Sequence, residues 1–162
     1  MNLKKIPFGL IAITLWILTI TFLIYSFIRG NTTKSKDGRV SIYLNEDERI
    51  LVLTEMRGLL TSINGVLGGL SEGDYEKASE SARASGMGLV RSLEKEEKKI
   101  LLKLPIEFKQ LGFGTHEQFD VIAEKLKQKK ELGIILNELD ILTRKCVACH
   151  ATYRIDLEIP GK

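Results

Sequence analysis

Leu132–Tyr153 reads LGIILNELDILTRKCVACHATY, and its spacing decides the fold class. Leu132, Ile135, Leu136, Leu139, Leu142, Cys146, Cys149 and Tyr153 recur at three- and four-residue intervals, which is one face of an α-helix. Gly133 interrupts the pattern only mildly. A strand would alternate with period two, and this stretch does not.

The same period extends upstream. Asn45 is a strong N-cap, followed by Glu46, Asp47 and Glu48 in the first turn, where the helix dipole favours acids. Ile50, Leu53, Met56, Leu60, Ile63 and Leu67 then form one apolar stripe. Gly65, Gly68 and Gly69 weaken the end of that helix and permit close approach of a neighbour. Ser71-Glu72-Gly73-Asp74 punctuates the chain and opens a second helix with small residues at Ala78, Ala82 and Ser85. The charged run Leu93–Leu104 prolongs it, its Glu94–Lys99 portion reading as a solvated face, and Pro105 ends or kinks it. Thr115-His116-Glu117-Gln118 matches a capping box, with Phe119, Ile122, Ala123 and Leu126 as the apolar face of a third helix. Four amphipathic helices over residues 44–162 predict an all-α, antiparallel four-helix bundle.

The N-terminus is different in kind. Ile6–Ile28 is 23 residues without a charge, about 35 Å as a helix against a hydrocarbon core of about 30 Å. A secretory signal has a shorter apolar stretch and ends in small residues, and neither holds here. Residues 1–29 are therefore expected to be an uncleaved anchor with a single transmembrane helix; a long cleaved signal and a buried core helix are the competing readings. Residues 30–43 are expected to be a linker, with the polar Asn31–Arg39 as a flexible tether of about 20 Å reach.

Charge supports this division. The chain of 162 residues carries a formal +3, and Met1–Arg39 holds all of that excess; from Val40 onward 18 Lys and Arg face 20 Asp and Glu. The folded part has no excess positive charge to meet phosphates, so a basic nucleic-acid-binding domain is disfavoured. Two cysteines exclude a disulfide-stapled miniprotein. Lys4 and Lys5 precede the span, whereas Arg29, Lys34, Lys36 and Arg39 follow it. Counted alone, these flanks place the C-terminal domain in the cytoplasm.

Cys146-Val147-Ala148-Cys149-His150 is a C-x-x-C-H, the attachment sequence of a c-type haem. On a helix, positions i, i+3 and i+4 share a face, so both thiols can form thioethers along one porphyrin edge while the imidazole of His150 reaches the iron. Structural zinc would need four ligands, and the chain offers only His116 besides these. A thioredoxin-like pair would sit at a helix start after a strand. One covalent haem c is the expected cofactor.

CVACHATYR at the end of the fourth helix resembles the class II c-type cytochromes, cytochrome c-prime and its low-spin relatives, over roughly Asn45 to Ile155. The resemblance implies a bundle with haem at one end, exported to the outer, periplasmic side of the cytoplasmic membrane. That reverses the orientation given by the flanking charges. It also implies a distal iron position on the first bundle helix, filled by Met in electron-transfer members and by an apolar residue in gas-binding ones. Matching by distance to Tyr75 places that position within about one residue of Met56, which is therefore the expected distal ligand, an ordinary core methionine being the rival reading. Met87 and His116 lie toward the same end of the expected bundle and are the alternative ligands. Tyr153 and Arg154 are candidate haem contacts, and Arg49 and Arg57 candidate partners for its propionates.

The expected function is single-electron transfer between redox partner proteins by a membrane-anchored, periplasm-facing monohaem cytochrome. No catalytic base or nucleophile beside the motif marks it as an enzyme. The rival is a five-coordinate haem protein that binds nitric oxide or carbon monoxide. Pairing into a homodimer through the first two helices is common in the resembled family, and no residue here decides it.

Overall fold

The computed structural model describes residues 8–92 and 100–158, and the chain there is mostly helical. Its elements in order are α1 (Phe8–Arg29), β1 (Thr32–Lys34), β2 (Val40–Leu44), α2 (Glu46–Ser71), α3 (Tyr75–Arg83), α4 (Met87–Ser92), α5 (Ile106–Lys127), α6 (Leu132–Thr152) and β3 (Tyr153–Leu157). The Glu94–Lys99 run and the first residues of the span, Ile6 and Pro7, lie outside the described residues.

α1 is long and apolar enough to cross a membrane, and none of its residues is buried. At about 1.5 Å per residue it extends about 33 Å. α2 passes the same test of length and composition, but it carries Val52, Ser62, Val66 and Gly69 buried in the domain. Its start follows the sequence closely: Asn45 Oδ1 accepts from the Glu48 N–H at 2.9 Å, and Glu48 Oε2 accepts from the Asn45 N–H at 3.0 Å.

Helices pack in series, α2 on α3, α3 on α5 and α5 on α6. Their shared core contains Val66, Ala78, Ala82, Phe119, Ile122, Leu126, Ile135 and Leu142, all sealed from solvent. Gly69 sets the α2–α3 spacing: a Cβ there would stand 2.7 Å from the Ala78 nitrogen. Ser79 fixes α3 to α5 by donating to the Ala123 carbonyl at 2.9 Å.

Four expectations are corrected. First, the domain is not all-α. β1, β2 and β3 form a sheet in that order, β1–β2 antiparallel and β2–β3 parallel, with Val40 opposite Tyr153 and Leu44 opposite Leu157. Residues 30–43 are thus not a flexible tether. Ile42 and Leu44 are sealed in a second core with Val52, Ile100, Leu104, Phe108 and Tyr153. The partner of β2 lies more than a hundred residues along the chain, so no local pattern announces the pairing.

Second, the third bundle helix does not begin at Thr115. α5 starts after Pro105, whose missing N–H is no loss at a helix start, and Thr115 Oγ1 bonds back to the Leu111 carbonyl at 2.8 Å in mid-helix. Third, α6 ends at Thr152, so Tyr153 and Arg154 stand on a strand and not on the helix face of His150. Fourth, the expected second helix is divided, into α3 and the short α4. α2 and α6 make no extended contact with each other.

Glu138 gives this helical core a pH dependence. Its carboxylate pairs with Lys125 Nζ and accepts from Gln118 Nε2 at 2.6 Å, and the Lys125 bond foremost holds it below the ordinary range despite burial. A lowered folded-state value contributes stability that is present above the unfolded carboxylate value, near pH 4, and is lost as pH falls through the folded one. Urea unfolding at pH 6 and pH 3 should show a larger acid loss in the wild type than in Glu138→Gln. Equal losses would refute this.

Candidate functional site

Two adjoining cavities are lined by residues of α2, α5 and α6. The larger, about 650 Å³, falls within the range of ligand pockets, roughly 300–1,000 Å³. Its walls are mostly apolar: Leu51, Leu59 and Ile63 from α2, Phe108 and Leu111 from α5, and Ile100 and Leu104 from the segment before α5. The smaller, about 180 Å³, lies against the sheet and shares Met56, Phe108, Cys149 and His150 with the larger.

Cys146, Cys149 and His150 reach the larger cavity from the last turns of α6. Both cysteines are free thiols, half-buried, and Cys146 Sγ donates to the Leu142 carbonyl at 3.6 Å. Burial pushes both thiols up, Cys149 to about 11. This is the reverse of a redox-active pair, which needs a thiolate at neutral pH. His150 is exposed, and its carbonyl accepts from Arg39 Nη1 at 3.4 Å. Among the described residues no three of His, Cys, Asp and Glu gather into a cluster that could hold a metal ion, so a structural zinc lacks its donors.

Met56 is half-buried on α2 and lines both cavities, as Cys149 and His150 do. Met87, on α4, is absent from both linings; its backbone N–H donates to Asp120 Oδ2 at 2.9 Å. His116 does line the larger cavity, but it is not the exposed first-turn residue that the capping-box reading implied. It is 4% exposed, with Nδ1 2.8 Å from the Ser85 carbonyl and Nε2 3.0 Å from Glu55 Oε1. Both ring nitrogens are therefore engaged.

Tyr153 is buried, its ring meeting that of Phe108 edge-on at 5.4 Å and 89°. It lines the smaller cavity together with Arg39 and Arg154. Arg154 binds Asp156 at 2.8 Å and Asp37 at 3.3 Å. Arg39 binds Asp37 at 2.7 Å and, through that bond foremost, holds it well below the usual carboxylate range. Arg57 lines the larger cavity and donates to Thr54 Oγ1 at 2.8 Å. Arg49 lines neither cavity, and its Nε is buried without a hydrogen-bond partner.

No protein-family model, curated protein or solved structure matches this chain. Its chemistry is carried by its own side chains. Arg39 and Phe108 were not legible as site residues. Arg39 reaches His150 only through β2–β3 pairing, and Phe108 lies before the expected start of the third helix.

Proposed function

We propose that the chain is a membrane-anchored c-type cytochrome that transfers single electrons, with a four-helix domain of the class II kind formed by α2, α3 with α4, α5 and α6. One observation carries the reading: the C-x-x-C-H residues and Met56 line the same apolar cavity of about 650 Å³.

The residues fit a covalently held haem c. Cys146 and Cys149 would hold it by thioethers, His150 would be the proximal ligand and Met56 the distal one. When bound, the group supplies a reversible one-electron centre, and a methionine ligand favours its reduced form. Leu51, Leu59, Phe108 and Leu111 exclude water from the cavity. Arg39 and Arg154 line the smaller cavity already paired with Asp37 and Asp156, and Arg57 lines the larger one, where it would be the arginine placed to meet a carboxylate of the group. His116 is spoken for by Ser85 and Glu55, which favours Met56 over a second histidine as distal ligand. α1 would hold the domain at the outer face of the cytoplasmic membrane, where haem is attached in such proteins.

The test is optical. The chain should be expressed with the cytochrome maturation machinery and its spectra recorded oxidised, reduced and reduced under carbon monoxide. A low-spin spectrum unaffected by the gas is expected, and Met56→Ala should convert it to a form that binds the gas at once. A wild type that is high-spin and binds carbon monoxide immediately would instead establish the gas-binding alternative. A low-spin spectrum unchanged by Met56→Ala would point to His116 or Met87.

A further inference from the structure

The membrane helix does not end in a free chain. Gly30, one residue past α1, has φ +65° and lies flush against the segment before α5: a Cβ there would stand 2.4 Å from the Lys103 carbonyl oxygen and 2.7 Å from the Pro105 nitrogen. The Asn31 N–H donates to that same Lys103 carbonyl at 2.7 Å. Lys109, on α5 and 8% exposed, donates to the carbonyls of Phe27 and Leu101 at 3.2 Å each and sits 3.7 Å from the centre of the Phe27 ring. Burial lowers its affinity for a proton, and the two carbonyls and the ring face offset that cost. Lys103 in turn bridges Glu48 at 2.8 Å and Glu158 at 2.9 Å. These bonds make one joint of the membrane helix, the sheet and the start of α5.

The joint fixes the height of a leucine. Leu102 adjoins Lys103 in the turn, at the level of Gly30, and its side chain is 66% exposed although it forms no part of either core. Resting on the reading of α1 as a membrane span, that level is the interfacial layer, about 5–7 Å thick beyond each side of the hydrocarbon. Leu60 is as exposed as Leu102, at 67%, but Leu102 adjoins the residue whose carbonyl receives the Asn31 N–H at the end of α1, where an apolar side chain can enter the interfacial layer.

We propose that the turn at Leu102 is a second membrane contact, seating the domain on a phospholipid bilayer in one orientation. Leu101 and Leu104, on either side, line the larger cavity. The cavity is thereby held beside the membrane surface, and partners meet it there and not at the end of a swinging tether.

The full-length chain in phosphatidylcholine vesicles containing a phosphatidylcholine with a diazirine near its headgroup would test this. After photolysis, mass spectrometry should find label on α1 and on the Leu101–Leu104 segment, and none at Leu67, which is 48% exposed far along α2. Leu102→Asp should lose the turn label and keep that on α1. Label on α1 alone would overturn the proposal while leaving the anchor intact. Absence of label from α1 would remove the membrane span itself and the proposal with it.

Discussion

The double variant Cys146→Ser, Cys149→Ser is expected to lose covalent haem entirely, with no haem stain left on a denaturing gel. Each serine removes a sulfur that would form a thioether, and no other cysteine exists to replace it. The fold should survive, because both thiols are only half-buried and the helical core lies along α5 and the earlier turns of α6. Far-ultraviolet circular dichroism should therefore keep its helical signal while the stain disappears. Each single variant leaves one sulfur and should retain stain at reduced yield. His150→Ala should retain stain and change the spectrum, because it removes a ligand and not an attachment point. Stain persisting in the double variant would refute the attachment assignment outright.

Leu44→Ala should destabilise the domain by about 2–5 kcal/mol, the usual cost of truncating a sealed leucine. Leu44 and Ile42 are fully buried, so Ile42→Ala should cost a similar amount. Against a total stability of about 5–15 kcal/mol, either loss is large and the pair together approaches unfolding. A flexible tether would respond to neither substitution by more than about 0.5 kcal/mol. Urea midpoints of the detergent-solubilised chain decide between the two, with Lys36→Ala in the exposed β1–β2 turn as the silent control.

Helices were legible where their signals are local. Asn45 and Glu48 form the capping box of α2, and of the stripe from Leu132 to Leu142 on α6, Ile135, Leu139 and Leu142 are buried while Leu132 and Leu136 stay exposed. Gly69 does admit its neighbour Ala78 closely. The errors arose where the deciding contact is distant. Val40, Ser41 and Ile42 follow a polar run and look like its continuation, until β3 arrives to pair with them. Thr115-His116-Glu117-Gln118 has the composition of a helix start, but α5 was already running from Pro105, and the helix interior satisfies Thr115. The apolar span and the C-x-x-C-H could be read from spacing, whereas Met56 was singled out only through the resemblance to the class II cytochromes. The surroundings of His150 could not, because Arg39 is brought there by the strand β2 that follows it and Phe108 lies in α5 ahead of the expected helix start.

The parallel pairing of β2 with β3 also constrains the order of events as the chain is made. Val40 follows α1 closely, yet its partner Tyr153 lies more than a hundred residues further along the chain. Contacts of such long sequence separation form late, since the loop between them must close first. The second core, with Ile42, Leu44 and Tyr153, stays incomplete until β3 has been made. Through that interval Cys146-Val147-Ala148-Cys149-His150 is spelled out but not yet enclosed. If haem is attached as proposed, the unfinished sheet would leave a window in which an attachment enzyme could reach both thiols before β3 docks.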